Sequence, residues 1–316
     1  MEDLQIHNKM NIKSKINGEY TVDFIKNLKL SLEKQISRNN CVIIIDEKVL
    51  NFFKKEIPVN INNKIITIHC NEKNKTIDYA QQVIRKLIKL KFRKDSDLIA
   101  IGGGITQDIV AFISSILYRG VNWKFYPTTL LAQCDSCIGS KSSINFDLYK
   151  NLLGTFNPPS EIFIYNSFLN TLSDSEIKSG IGEMLHYFFT DGIDIALKLS
   201  NQYDKLISKR ENLLFFIKSS LKIKKQIIEI DEFDLSIRHI FNYGHTFGHA
   251  IEAISNYSVP HGQAITIGMD LANYISLNLK MLSLENFNIM HNILIKNKPS
   301  YSINSDNIEQ YCSALS

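Results

Sequence analysis

At 316 residues, 44% hydrophobic and 22% charged, the chain has the make-up of a globular protein long enough for two domains. Its formal net charge of +4 is small and spread along the sequence, so it carries no footprint for nucleic acid. No apolar run approaches a membrane span, the start MEDLQIHNKMNIKSK lacks a secretory hydrophobic stretch, and five cysteines without a disulfide framework fit a reducing cytoplasm.

Residues 20–155 alternate short β-branched apolar runs with helical patterns, the signature of an α/β domain. CVIIID (41–46) reads as a buried strand, KIITIHC (64–70) as another, and DLIAIGGG (97–104) as a third that runs into glycines. Residues 75–90 have helical spacing between them. This is the layout of a nucleotide-binding half, with ligands expected beyond the carboxyl ends of the strands. GGGITQD (102–108) lies at such an end and opens a helix, DIVAFISSIL. Glycines admit a pyrophosphate close to the backbone and a helix N-terminus favours negative charge. The pattern is not GxGxxG, and a tight βα turn accounts for it equally well.

PTTLLAQCDSCIGSKSSIN (127–145) is too rich in small polar residues for a core strand. It carries Asp135 and Lys141 and is followed by Lys150 and Asn151. Singly these read as solvated surface residues; clustered beside a glycine turn they point to an anion site, with phosphate its natural occupant. Cys134 and Cys137 form a CxxC, but no second one exists, and they read as buried fillers. The alternation stops near Phe156-Asn157-Pro158-Pro159, which places an α/β domain at 1–155 and a mainly α-helical domain at 156–316.

Three of the eight histidines, His245, His249 and His261, gather within seventeen residues, with His239 just upstream. His245 and His249 are four apart, so a helix stacks them on one face. The break at Ser258-Val259-Pro260 puts His261 and Gly262 at the next helix start. Histidines on two neighbouring helices suit a divalent metal; the same spacing also serves core or surface imidazoles, and a third ligand decides between them.

NYGHTFGHAIE followed by HGQAITIGM resembles the second half of 3-dehydroquinate synthase and its relatives, the sugar-phosphate cyclases. GGGITQD, RG, PTTLLAQCDSCIGSKSSIN, KNLLGTF and SGIGEM match that family in the same order, from about Tyr20 onward. The resemblance implies an NAD-binding α/β domain and a helical metal- and substrate-binding domain. It implies NAD against Gly103, Gly104, Ile105 and Asp108, with Asp46, Glu72 and Lys75 on the adenosine side. Thr128, Thr129, Lys150 and the segment from Phe168 to Thr171 would border the dinucleotide. Glu183 would join His245 and His261 as third ligand to a divalent metal, zinc first, with cobalt or iron as alternatives.

By the same resemblance Asp135 and Lys141 contact substrate hydroxyls and phosphate, Asn151 and His249 the phosphate, and Lys224, Arg238 and Asn242 the rest of the substrate. Lys224 and Arg238 would hold a carboxylate. Arg119 matches an arginine that reaches a neighbouring subunit's active site, implying a homodimer. The implied chemistry is that of a lyase of aromatic amino acid biosynthesis, in the shikimate pathway. A metal-held hydroxyl loses hydride to NAD, the ketone acidifies the adjacent C–H, phosphate leaves, the hydride returns, and ring opening with aldol closure makes a carbocycle.

The chain departs from the family at three places. His186 stands where a lysine is usual, and a neutral imidazole does not replace a permanent ammonium. Ser140 replaces a glycine and Gln263 a glutamate. An Asp-Lys-Lys stretch with a further phosphate-binding lysine would follow the final YCSALS. The readings are therefore 3-dehydroquinate synthase activity on the seven-carbon 3-deoxy-arabino-heptulosonate 7-phosphate, or a specialised cyclase acting on another sugar phosphate. A polyol dehydrogenase and a catalytically impaired homologue kept as a binding partner are the remaining alternatives.

Overall fold

The structure, a computed structural model, describes residues 8–58, 64–147, 149–305 and 307–315. Residues 1–7, part of the start inspected for a secretory stretch, lie outside this set. Two units divide at Thr171/Leu172.

The first unit runs β1 (Lys9–Ser14), β2 (Gly18–Ile25), α1 (Leu28–Arg38), β3 (Cys41–Asp46), α2 (Glu47–Phe53), β4 (Ile65–Ile68), α3 (Ile77–Lys89), β5 (Asp97–Gly102), α4 (Gly104–Ile116) and β6 (Trp123–Pro127). It closes with β7 (Lys141–Phe146), β8 (Tyr149–Phe156) and β9 (Glu161–Tyr165). The sheet order is β1-β2-β9-β6-β5-β3-β4, parallel except for the β1–β2 pair. Every residue of β5, and all of β3 but Asp46, is buried. Such unbroken apolar runs are what a parallel strand covered on both faces needs.

From β3 the chain goes outward to β4 and then returns to β5 on the other side. The β3–β5 pair is thus the switch point, where a crevice opens past the strand ends. The register Ile45↔Ile101 sets Asp46 and Gly102 at the ends of neighbouring strands. β7 and β8 form a separate antiparallel hairpin, tied to the start of α3 by a Thr76↔Asn145 bridge.

The boundary expected at Phe156–Pro159 moves to Thr171/Leu172. Pro158 and Pro159 only connect β8 to β9, and EIFIY at 161–165 pairs with both β2 and β6. A single five-residue apolar run gives too little pattern to separate a strand from a buried helical turn.

The second unit is helical: α5 (Asp174–Asp191), α6 (Asp194–Asn201), α7 (Tyr203–Ser208), α8 (Leu213–Ile228), α9 (His245–Ile254), α10 (His261–Asn278), α11 (Leu284–Leu294) and α12 (Ile308–Leu315). Ser173 and Glu176 form a reciprocal capping box that starts α5. Glycines let three helices touch backbone to backbone. A Cβ on Gly182 of α5 would meet the Gly262 carbonyl oxygen of α10 at 1.9 Å. One on Gly268 of α10 would meet the Gly244 oxygen, just before α9, at 2.1 Å. Gly244 itself takes a left-handed φ of 80°, turning the chain into α9. Glu183, His245 and His261 each follow or precede one of these glycines, so the close approaches bring them together. Among the described residues no helix is long and apolar enough to cross a membrane.

Candidate active site

In the helical unit, Glu183 is 4% exposed on α5. Its Oε1 lies 3.7 Å from His245 Nε2, and its Oε2 lies 3.6 Å from His261 Nε2. These gaps are too long for hydrogen bonds, and Oε2 has no hydrogen-bond partner among the described residues. An uncompensated carboxylate at this depth costs several kcal/mol, roughly, unless a cation meets it.

The two imidazoles are already oriented for that cation. His245 Nδ1 donates to the Tyr243 carbonyl at 3.3 Å, and His261 Nδ1 donates to Glu252 Oε2 at 3.1 Å. Both acceptors force the proton onto Nδ1 and leave the Nε2 lone pair facing Glu183. A cation about 2.0–2.2 Å from each ligand, at angles between tetrahedral and trigonal, separates N and O by roughly 3.3–3.7 Å. The donor set therefore fits a divalent metal, with Glu183, His245 and His261 as the residues that could hold it.

His249 shares the corner: one ring nitrogen from each of His245, His249 and His261 falls within 4.8 Å of the others. The Glu183 set is the better cage, because His249 is exposed on the solvent side of α9 and has its Nε2 4.0 Å from Glu252. His186 is 1% exposed, its Nδ1 3.7 Å from Glu183 Oε1. Its ring packs on Tyr187, Phe241 and His245 at centroid distances of 4.5, 5.5 and 5.2 Å. It forms an aromatic wall of the cluster, away from solvent.

Lys224 is buried on α8, and Asn242 is exposed at the end of the turn Ile237–Asn242. Arg238, half-buried in the same turn, is held at both ends by one dipeptide. Its backbone N–H donates to Asp231 Oδ2 at 3.2 Å and its Nη1 to the Glu232 carbonyl at 2.8 Å. Asp231 also accepts the Leu235 and Ser236 N–H groups at 2.9 and 2.8 Å. The Leu235 N–H above all, then those of Ser236 and Arg238, hold its carboxyl well below the usual carboxylate range. Sequence reasoning missed Asp231 and Glu252; their only local signal is position, seven residues before Arg238 and three after His249.

In the α/β unit, α4 begins at the switch point with Gly103 as cap and, among the described residues, no side-chain cap hydrogen bond. Thr128 N–H closes the adjoining turn on the Gly102 carbonyl at 2.9 Å, and Thr129 Oγ1 accepts from Ala132 N–H at 3.2 Å. A Cβ on Gly104 would meet nothing within 4 Å, whereas one on Gly102 would run into Thr106 Oγ1. An open cradle above uncapped N–H groups fits a pyrophosphate. Asp46 caps α2 through Lys48 N–H at 2.9 Å. Beside it the Cys70 thiol is pushed up to about 12, chiefly by burial, and meets Thr106 Oγ1 at 2.9 Å.

Around the hairpin, Asp108 pairs with Lys75 at 2.8 Å and accepts Ser143 N–H at 2.8 Å. Burial raises the Asp108 carboxyl, with the Lys75 ammonium pulling the other way. Lys75 also reaches Asn151 Oδ1 at 2.6 Å. Glu72 accepts from Asn145 Nδ2 at 2.9 Å, and Lys150 stands 3.9 Å from it. Asp135 sits in the wide turn Ala132–Ser136, closed by Cys137 N–H on the Ala132 carbonyl at 3.0 Å. Ile105 is half-buried in the first turn of α4, Lys141 is exposed at the start of β7, and Arg119 is exposed with φ 64°.

Phe168 is turned into the core. It is 1% exposed, edge-on to Phe53 at 4.8 Å and Tyr165 at 5.2 Å in the core, while Asn170 and Thr171, the latter bonded to its carbonyl at 2.9 Å, stay exposed. A large aromatic at the end of a sheet strand gains more from burial than from an open rim. Cys134 and Cys137 are both buried, as expected of fillers.

A family model described as 3-dehydroquinate synthase N-terminal matches residues 65–179, and one described as 3-dehydroquinate synthase C-terminal matches 180–316. A 3-dehydroquinate synthase of Clostridium tetani is 38% identical over 74% of this chain, which spans 64% of that relative's length. One of Pelagibacter ubique is 34% identical over 88% of the chain and 80% of its own length. Among solved structures, ValA, a 2-epi-5-epi-valiolone synthase from Streptomyces hygroscopicus subsp. jinggangensis 5008 with NAD+ and Zn2+ bound, shares the fold. Its TM-score is 0.84 at 21% identity, covering 94% of this chain and 85% of that one.

Proposed function

The chain belongs to the 3-dehydroquinate synthase family, and from that membership we propose a metal- and NAD-dependent cyclase that eliminates phosphate from 3-deoxy-arabino-heptulosonate 7-phosphate. The observation that carries this reading is the buried Glu183 oxygen with no hydrogen-bond partner among the described residues, opposite two Nε2 atoms whose Nδ1 protons are already committed. Glu183, His245 and His261 would hold zinc, or cobalt or iron, while Tyr243 and Glu252 orient the imidazoles. The first turn of α4 would receive the dinucleotide pyrophosphate and Asp108 a hydroxyl of the cofactor. Bound there, the cation supplies Lewis acidity at a substrate hydroxyl and the dinucleotide a reversible hydride acceptor.

The chain's own share is grip and alignment. Lys141, Asn151 and His249 would take the phosphate, Asp135 and Asn242 hydroxyl groups, and Lys224 with Arg238 the carboxylate. Arg238 offers a two-pronged contact, and the Asp231–Glu232 dipeptide holds it in place. Exposed Arg119 at φ 64° would serve a partner subunit's site in a homodimer. The free cysteines fit a cytoplasmic setting.

The deciding experiment incubates zinc-loaded protein with a panel of sugar phosphates and follows free phosphate and carbocycle. Release from the carboxylated seven-carbon substrate is expected. Release from a neutral sugar phosphate alone would instead support the specialised-cyclase reading, which buried His186 beside Glu183 favours.

Two variants probe the parts. Glu252→Gln removes the charged acceptor of His261 Nδ1, and zinc affinity should fall about 10–100-fold, read by competition with a chelator. An unchanged zinc affinity would remove Glu252 from the metal's surroundings. Gly104→Ala puts a methyl into empty space, so melting should hold while the NAD Kd rises about tenfold or more. Equal NAD binding would place the pyrophosphate elsewhere.

A further inference from the structure

Lys75 is 6% exposed, and its ammonium makes three hydrogen bonds: Asp108 Oδ2 at 2.8 Å, Asn151 Oδ1 at 2.6 Å and Ser143 Oγ at 3.3 Å. An ammonium has three donors, so none is left for a nucleotide. The resemblance places Lys75 on the adenosine side; in the structure its three donors are all bound within the protein. What it joins is informative. Asp108 lies on α4, the helix that opens on the glycine cradle, and Asn151 lies on β8 in the hairpin.

The ammonium also decides which way each partner faces. A cation cannot accept a hydrogen bond, so it is the Asn151 oxygen that turns toward Lys75. The donor end, Nδ2, is left on the other branch of the amide, the polarity an anion requires. Ser143 Oγ reaches the same oxygen at 3.0 Å, and Asn151 N–H is tied to Asn145 Oδ1 at 2.9 Å. These contacts hold Asn151 at a left-handed φ of 55°. On the other side, Lys75 and the Ser143 N–H occupy one lone pair on each Asp108 oxygen and fix the carboxylate plane.

We infer that Lys75 is a positioning residue that couples dinucleotide binding to phosphate binding, one ammonium presenting Asp108 to the cofactor and Asn151 to the substrate phosphate. The inference rests on the cofactor and phosphate assignments proposed above. When either ligand tightens its half of the knot, the shared ammonium tightens the other half with it, and the second ligand has less freedom left to remove. Coupling of this kind is reciprocal: each ligand tightens the other by the same factor.

The test is calorimetric titration of zinc-loaded full-length protein with NAD, with saturating inorganic phosphate or with chloride at equal ionic strength. Phosphate should lower the NAD Kd by about fivefold or more, and NAD should lower the phosphate Kd equally. In Lys75→Met both ligands should still bind, more weakly, with the factor falling to about one. A merely structural lysine would weaken both affinities and leave the factor intact, and that result overturns the inference. If Lys75→Met does not fold, Ser143→Ala removes one hydroxyl from the same knot; a reduced factor supports the coupling and an unchanged one sinks it. Wild-type protein that binds NAD without any phosphate effect overturns the coupling alone. Wild-type protein that binds no NAD overturns the functional reading itself.

Discussion

Glu183→Gln is expected to strip the protein of its divalent metal and to slow phosphate release by about a thousandfold or more. The substitution keeps the shape of the side chain and removes only its charge. With Nε2 of His245 and His261 at 3.7 and 3.6 Å from the carboxylate, that charge is what makes three neutral-or-anionic donors a cation site. A second expectation separates this from simple damage. Glu183 is 4% exposed and its Oε2 has no hydrogen-bond partner among the described residues, so in metal-free protein the carboxyl is a buried polar group left unsatisfied. Metal-free Glu183→Gln should therefore melt no lower than metal-free wild type, while losing the rise in melting temperature that zinc gives the wild type. Zinc near one ion per chain, measured by elemental analysis, together with release within tenfold of wild type would refute the assignment.

Gly262→Ala should be the most damaging single methyl in the helical unit. A Cβ there would lie 1.8 Å from the Ser179 carbonyl oxygen, 2.7 Å from the Ser179 carbonyl carbon and 3.2 Å from the Glu183 nitrogen. All three are backbone atoms of α5, which no rotamer change can move aside. The two helices must separate, at a cost of about 3 kcal/mol, near the upper end for overpacking. For a unit of this size that corresponds to a fall of roughly 6–12 °C in melting temperature. Because Gly262 adjoins His261 and the clash bears on Glu183, zinc affinity should fall with it. A variant melting within about 2 °C of wild type, still binding zinc normally, would show that the α5–α10 contact is not what sets the cluster.

Local pattern in the sequence was enough for the strands at 41–46 and 97–102, the helix after the glycine turn, and the helix start at His261. Each rests on periodicity, a cap or a breaker, all written within a few residues. The α/β order of the first unit and the helical character of the second follow from the same signals. The candidate ligands were also legible, since Glu183, His245 and His261 lie in motifs that carry the family resemblance. EIFIY was not legible, because a strand of five residues is identified by its partners β2 and β6 rather than by its own period.

Composition, periodicity and motifs by themselves determined the class of fold and the residue types available for a metal, a dinucleotide and a phosphate. Only the tertiary structure decided which nitrogen of His245 and His261 is available, that Glu252 and Asp231 hold their neighbours in place, that Phe168 belongs to the core, and that Lys75 joins Asp108 to Asn151. The reason is physical. Helices and strands are dictated by short-range backbone geometry, but the direction of a lone pair or an ammonium depends on where separate elements cross. In this chain those crossings are set by contacts such as Gly182 on Gly262, far apart in sequence and without any period to read.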